Sequence, residues 1–111
     1  MKKQTSLKRV EAPKKLTGKA KFIDDLSFPE MLYGATVRST IPRGKLKGIR
    51  FGGDIPWHEF TIVTAKDIPG GNFIAIIEKD WPVLVEEKIN HLYEAIALIA
   101  HPDKHLVQKA L

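Results

Sequence analysis

Hydrophobic and polar residues alternate along two stretches in the first half of the chain. Over residues 32–39 the alternation is clean, and it places Tyr33, Ala35 and Val37 on one face of a half-buried strand. A weaker alternation over residues 45–51 predicts a second strand. We therefore expect these two stretches to pair with each other in a sheet.

The most apolar stretch lies near the end of the chain and has hydrophobic residues on both faces. This pattern, over residues 95–100, predicts a central strand that is covered on both sides. Pro102 suits the first position of a following helix, which would leave His101 as the N-cap. Spacings of three and four residues predict that one side of this helix packs through Leu106, Val107, Ala110 and Leu111.

Turn-forming residues divide the rest of the chain into short elements. A turn at residues 15–20 has Gly18 at its tightest point, and short strands are predicted at residues 21–23, 61–64 and 83–89. Strands that alternate with short helical pieces indicate an α+β domain.

A helical turn is predicted on each side of the strand at residues 61–64. Trp57 and Phe60 anchor the first turn. Thr64 caps the second, where its hydroxyl would accept amide hydrogens and Asp67 would favour the positive end of the turn. Pro69 and the glycines after it limit the second helical piece to one turn.

Apolar periodicity is absent from the first thirteen residues. We therefore predict a basic N-terminal arm at residues 1–13 and a single domain at residues 14–111, which would be a piece of a longer protein. Residues 1–8 are expected to be mobile unless a neighbour orders them.

Charge is distributed unevenly along the 111 residues. The net charge is +5, yet residues 1–21 hold eight Lys and Arg against Glu11 alone, and the other ninety residues are slightly acidic. The basic excess therefore belongs to the leading segment. A second basic cluster would share a strand face, but it lacks the interleaved aromatics of a single-strand binder, which disfavours a nucleic-acid partner. This cluster consists of Arg43, Lys45, Lys47 and Arg50.

The chain contains no cysteine, and its composition is 43% hydrophobic against 28% charged. Disulfides, thiolate zinc sites, iron–sulfur clusters and cysteine nucleophiles are therefore excluded from these residues. The sequence shows neither a membrane-spanning run nor the apolar core of a signal peptide. We accordingly expect a soluble protein with no membrane partner, in a cytoplasmic setting.

Glycine-rich segments and acidic pairs do not fit known site patterns. Gly18-Lys19 has Pro13 where a phosphate-binding loop needs its first glycine, and residues 70–72 are typical of an ordinary turn. Asp24 and Asp25 are adjacent, so on a strand their carboxylates would diverge, and a turn at the strand end is favoured.

Histidines and aromatic residues offer only weak candidate sites. His101 and His105 have the spacing of a metal pair but no evident third ligand. Trp57, Phe60 and Trp81 could form a stacking surface, although such aromatics more often anchor a core or an interface. We therefore assign no catalytic, cofactor-binding or metal-binding residue.

Several segments nevertheless resemble one family in order and spacing. They are LTGKA at residues 16–20 with DD at 24–25, MLYG at 31–34, VRS at 37–39, TAKDIPG at 64–70 with Asn72, and Pro82 with EAIA at 94–97. Together they resemble the start of the molybdenum-binding subunit of the xanthine dehydrogenase/aldehyde oxidase family, over residues 9–111. The resemblance implies an a/b hammerhead fold, an α+β mixed sheet with short helices.

The same resemblance implies an oxidoreductase that hydroxylates a purine, an N-heterocycle or an aldehyde with water as oxygen donor. Molybdenum bound to molybdopterin is implied for the intact enzyme, with iron–sulfur clusters and FAD elsewhere in the complex. The catalytic and cofactor-binding residues of the family lie in later domains, so this chain would be a non-catalytic structural and assembly domain. Residues 40–44 depart from the pattern of many members and resemble a bacterial subgroup.

Two classes of function follow from these observations. The first is a domain whose partners are the remaining molybdopterin-binding domains and the iron–sulfur domain or subunit of the same enzyme. The alternative is an autonomous small basic binding protein with nucleic acid as a candidate partner. In the family another strand follows the helix at residues 102–111, so we also expect the isolated chain to self-associate through an open sheet edge.

Overall fold

The computed structural model of the protein describes residues 7–75 and 77–111. Most of the arm predicted to be mobile therefore lies outside the described residues. The chain divides into two compact units, Met1–Met31 and Leu32–Leu111.

Between residues 7 and 31, the first unit contains one short helix and one helical turn. Helix α1, Ala12–Leu16, was not predicted, because it buries none of its residues and so carries no apolar periodicity. The predicted turn at Gly18 is confirmed, with a φ angle of 68°. The strand predicted at residues 21–23 is wrong, since a 3-10 turn occupies Ile23–Asp25 and the Asp25 carboxylate accepts the N–H of Phe22 at 3.0 Å.

A three-stranded antiparallel sheet forms the centre of the second unit. Its strands lie in the order β1 (Tyr33–Arg38), β5 (Ala95–His101) and β3 (Thr61–Val63). The predicted strands at residues 32–39, 61–64 and 95–100 are confirmed, and the apolar β5 takes the central position. Its residue Ile99 lies opposite Ala35 of β1 and opposite Ile62 of β3.

A second antiparallel sheet joins two very short strands, β2 (Gly44–Lys45) and β4 (Lys88–Ile89). The strand predicted at residues 45–51 is therefore wrong beyond Lys45, and so is its pairing with β1, because β5 is the neighbour of β1. All strand pairs of the described residues are antiparallel rather than mixed. The predicted α+β class is confirmed.

Of the strand predicted at residues 83–89, only β4 forms, because the Asn72 side chain is hydrogen-bonded to backbone groups in the first part of that range. The Asn72 amide donates to the carbonyl of Leu84 at 2.7 Å, and its oxygen accepts the N–H of Leu84 at 3.0 Å. These are the backbone groups that a strand would use for pairing. The amide therefore closes a loop at residues 73–83.

Helix α2, Lys104–Lys109, begins later than predicted. Its N-cap is Asp103, whose carboxylate accepts the N–H of His105 at 2.8 Å, and not His101, which ends β5. Val107 is buried in the core, whereas Leu111 lies beyond the helix and is 67% exposed. The predicted packing of Leu111 is therefore wrong.

The core of the second unit lies between α2 and one face of the three-stranded sheet. Phe60, Ile99 and Val107 form its buried cluster. Tyr33, Ala35 and Val37 pack against this cluster, as their alternation along the chain predicts. The sheet and helix thus form two layers around a small apolar centre.

The 3-10 turns on either side of β3 are the two predicted helical turns, Trp57–Glu59 and Ala65–Asp67. At the second turn, the Asp67 carboxylate accepts the N–H and the hydroxyl of Thr64 at 2.7 and 2.8 Å. The hydroxyl thus donates, where we expected it to accept amide hydrogens. The hydrogen bond from the Thr64 backbone, followed by that from its hydroxyl, lowers the pKa of Asp67 below its usual value.

Candidate interface

The three-stranded sheet has two faces, of which the helix covers only one. Strand pairing places two rows of residues on the other face, which we call the open face. Thr36, Leu98 and Val63 form the first row across β1, β5 and β3. Gly34, Ala100 and Thr61 form the second row.

Leu98 lies at the centre of the open face and is 42% exposed. Its neighbour in sequence, Ile99, points to the helix side and is 1% exposed. The prediction that β5 is covered on both sides is therefore wrong within residues 32–111. The strand is apolar on both faces, but α2 packs against only one of them.

A shallow cavity of about 280 Å³ follows the open face. Its side chains are aliphatic or hydroxyl-bearing, and none is charged: Gly34, Ala35, Thr36, Thr61, Val63, Leu98, Ile99 and Ala100. Such a lining can bind apolar surface, but it holds no acid, base or nucleophile of perturbed reactivity.

Apolar side chains are also exposed on the loop that Asn72 closes. Backbone pairing joins Ile74 to Trp81 within this loop, and the Trp81 ring stacks on His91 with their centroids 5.3 Å apart. Ile74 and Trp81 are each about half exposed. The second unit therefore carries apolar surface at two separate places, the open face and this loop.

The three aromatic residues that could have formed a stacking surface do not come together. The Trp57 ring lies 5.2 Å from that of Phe60, which is buried in the core, whereas Trp81 stacks on His91. The interpretation of Trp57 and Phe60 as core anchors is confirmed.

The two histidines with metal-pair spacing have separate environments. His101 is 7% exposed, and its Nδ1 accepts the N–H of Asp103 at 2.9 Å. The ring proton therefore resides on Nε2, which lies 3.5 Å from Oε2 of Glu59. His105 is exposed in the first turn of α2. Nowhere in residues 7–75 and 77–111 do three or more metal-binding side chains converge.

The remaining candidate residues occupy turns or exposed positions. Asp24 and Asp25 lie in the 3-10 turn of the first unit. Of the second basic cluster, only Lys45 belongs to a strand, so the predicted shared strand face does not form. In the first unit, four lysines border an open cavity of about 540 Å³: Lys14, Lys15, Lys19 and Lys21. No helix formed by the described residues has the length and hydrophobicity that crossing a bilayer requires.

Glu94 begins the EAIA segment that carries the family resemblance, but the sequence patterns did not reveal its structural role. It is 7% exposed, and its Oε2 accepts the N–H groups of Asn90 and His91 at 2.7 and 3.3 Å. Its Oε1 has no hydrogen-bond partner among the described residues. Tyr93 next to it has a φ angle of 64°, and its carbonyl accepts from the Arg38 guanidinium at 3.0 Å. A carboxylate before an apolar strand gives no pattern that would indicate this role.

Comparison with known proteins identifies relatives of this domain. The family profile of the aldehyde oxidase and xanthine dehydrogenase a/b hammerhead domain matches residues 17–111. A probable xanthine dehydrogenase subunit of Bacillus subtilis is 35% identical over 87% of this chain and 13% of its own length. The nicotinate dehydrogenase large molybdopterin subunit of Eubacterium barkeri is 38% identical over 93% of this chain and 24% of its own length.

A solved structure agrees with these relationships. The aldehyde oxidoreductase of Desulfovibrio gigas superposes with a TM-score of 0.81 and 26% identity, covering 92% of this chain and 13% of that one. The chain thus spans between about an eighth and a quarter of the length of these relatives. The resemblance seen in the sequence is confirmed, and so is the hammerhead fold. This chain belongs to the aldehyde oxidase and xanthine dehydrogenase family, as its a/b hammerhead domain.

Proposed function

We propose that this chain is a non-catalytic structural domain that helps a molybdenum hydroxylase to assemble. The intact enzyme would hydroxylate a purine, an N-heterocycle or an aldehyde with water as oxygen source. Membership of the aldehyde oxidase and xanthine dehydrogenase family supports the oxidoreductase class. The names of the relatives, which include a xanthine and a nicotinate dehydrogenase, support the substrate classes.

The observation that carries the structural role is the placement of hydrophobic side chains. Among the described residues, seven hydrophobic residues are buried, whereas twenty large hydrophobic side chains are exposed. Scattered apolar residues are normal on a protein surface, and only contiguous apolar patches larger than a few hundred Å² mark interaction sites by their size. The open face is smaller than that, but it joins Leu98 and Val63 in an apolar lining without charge, which suits packing against another apolar element.

The molybdenum–molybdopterin group does not fit the described residues as a resident cofactor. The described residues offer no converging set of His, Asp or Glu ligands, and both nitrogens of His101 already face partners within the chain. We therefore assign the molybdenum cofactor to other domains of the enzyme, and the iron–sulfur clusters and FAD to other parts of the complex.

The proposed partners are the remaining molybdopterin-binding domains and the iron–sulfur domain or subunit. The lengths of the relatives support partner domains, because each relative is at least four times longer than its matched segment. In isolation, the chain is expected to self-associate through the outer edges of β1 and β3, which pair with no described strand. A cytoplasmic location remains a prediction.

The test removes this domain from the molybdenum subunit to which it belongs and then supplies it as a separate chain. We expect the shortened subunit to lose molybdenum and to aggregate, and the separate chain to bind it and restore a soluble, molybdenum-containing complex. Size-exclusion chromatography and metal analysis measure both effects. A shortened subunit that stays soluble and fully loaded would contradict the structural role. Stoichiometric molybdenum on the isolated chain would contradict the non-catalytic assignment.

A further inference from the structure

The open face is an apolar sheet surface that residues 32–111 leave uncovered. We propose that an uncharged aliphatic segment of the same molybdenum subunit, one helix wide, packs across this face and covers Leu98. This inference rests on the proposed function and names the partner of the domain and the surface that the partner contacts.

The chemistry of the open face defines the chemistry of its partner. Leu98 and Val63 supply branched aliphatic groups in one row, and Gly34 and Ala100 leave a shallow depression in the other. Burial of a charged group against such a lining would cost free energy without any compensating ion pair. The side chains that contact Leu98 should therefore be aliphatic.

The threonines limit the width of the contact. Thr36 lies on β1 and Thr61 on β3, the two outer strands, so a hydroxyl stands on each side of the apolar centre. Two strand spacings separate the outer strands by about 10 Å, which matches the diameter of one helix, about 10–12 Å. A single helix lying along the strands fills this width, and layers of this kind are how α+β folds cover a sheet.

The small area of the face argues against a second copy of this chain as the partner. The shared length of the strands and their spacing give a face of roughly 100–200 Å². A specific complex between separate proteins buries about 800 Å² on each partner. A segment of the same subunit needs far less area, because covalent connection and neighbouring contacts already hold it close to the face.

A photoactivated crosslinker in place of Leu98 tests the partner directly. The chain that carries it is co-expressed with the remainder of the molybdenum subunit, so that the remainder is never present alone, and mass spectrometry identifies the crosslinked peptide. We expect one aliphatic, uncharged segment of the remainder. Crosslinks to another copy of this chain, to a charged segment, or to nothing while the two parts associate would overturn the proposal.

Leu92 provides a matched control, because it is the same residue type and is 46% exposed. A crosslinker at Leu92 should not reach the segment found from position 98. Crosslinks from both positions to the same peptide would show that the open face is not specific and would overturn the proposal.

Binding of point variants gives a second, independent measurement. With each variant co-expressed with the remainder, we expect Leu98→Glu to lower the amount of associated remainder at least about tenfold, and Leu92→Glu to leave it within about twofold of the native amount. Circular dichroism shows whether each variant is folded. If the native chain binds and Leu98→Glu binds equally well, the proposed function survives and this inference fails. If the native chain does not bind at all, both fail.

Discussion

The two faces of the three-stranded sheet are formed by the same strands, yet they differ in what covers them. On one face, Ile99 is buried beneath Val107 of α2, and the neighbouring side chains complete a core. On the other face, Leu98 has no covering element from residues 32–111. Consecutive residues of one strand thus have opposite environments.

This difference separates two sources of burial. One is an element adjacent in sequence, and the other is a part of the protein outside residues 32–111. A strand with apolar residues on both faces specifies two buried layers. The helix that follows β5 directly supplies the first layer. No element of residues 32–111 supplies the second layer, and the contact that we propose for Leu98 would supply it.

The largest expected effect comes from a charge placed inside the covered face. Val107→Asp should lower the free energy of unfolding by more than about 4 kcal/mol, because the carboxylate would be buried without a partner. The helix would separate from the sheet and leave two uncovered faces. Denaturant titration followed by circular dichroism measures the loss.

Leu111→Asp is the matched control for that variant, since Leu111 is an exposed aliphatic residue just after the same helix. Its effect should stay within about 0.5 kcal/mol. A comparable loss in both variants would mean that the helix does not cover the face as described.

Truncation of adjacent residues of β5 compares the two faces most directly. Ile99→Ala should cost about 2–5 kcal/mol, because it leaves a cavity in a core that is 1% exposed at this position. Leu98→Ala should cost about 1 kcal/mol, because much of its side chain is already in solvent. Equal costs in the isolated chain would show that something covers both faces.

Removal of the N-cap of α2 should destabilise the helix that covers one face of the sheet. Asp103→Ala should cost about 1 kcal/mol, because the N–H of His105 loses its acceptor. Asp103→Asn preserves an acceptor oxygen and should stay close to the native stability. A thermal unfolding series of the three proteins decides whether the carboxylate is the cap.

The smallest expected effect lies outside both faces, at the turn after β3. Hydrogen bonds from Thr64 lower the pKa of Asp67, so the folded state binds its proton less readily than the unfolded state does. The stabilisation is complete above the usual aspartate pKa and is lost as the pH falls through the lowered value. Asp67→Asn should therefore make the fall in stability below about pH 4 shallower.

Neither Ile99→Ala nor Leu98→Ala should change the contribution of Asp67 to this acid dependence. Unfolding measured at a series of pH values for the native protein and for each variant compares the slopes. An unchanged slope in Asp67→Asn would contradict the assignment.

The elements that could be predicted from the sequence are those that repeat a pattern over several residues. The strand that contains Tyr33 and the strand that contains Ile99 each show enough positions for a period to emerge. The two-residue strands at Lys45 and Lys88 are too short to show one. Helix α1 has no buried side, so its sequence carries no apolar pattern.

Contacts between distant residues could not be predicted. Nothing near Asn72 indicates that its amide binds Leu84, twelve residues away. Likewise, the apolar character of Leu98 is visible in the sequence, but its exposure depends on which elements lie beside β5. The sequence therefore showed that the residues of the candidate interface are apolar, but it did not show that they form an exposed surface.

The two hydrogen bonds between the Asn72 amide and the Leu84 backbone also affect which changes of sequence length the domain can tolerate. These hydrogen bonds hold the two ends of the intervening loop together. The structure of the two sheets therefore does not depend on the number of residues in the loop. Doubling the length of such a loop costs only about 0.6 kcal/mol in closure entropy. We therefore expect insertions and deletions to be tolerated between Ile74 and Trp81, whose backbone pairing holds the base of the loop, while the Asn72 amide holds the chain at Leu84.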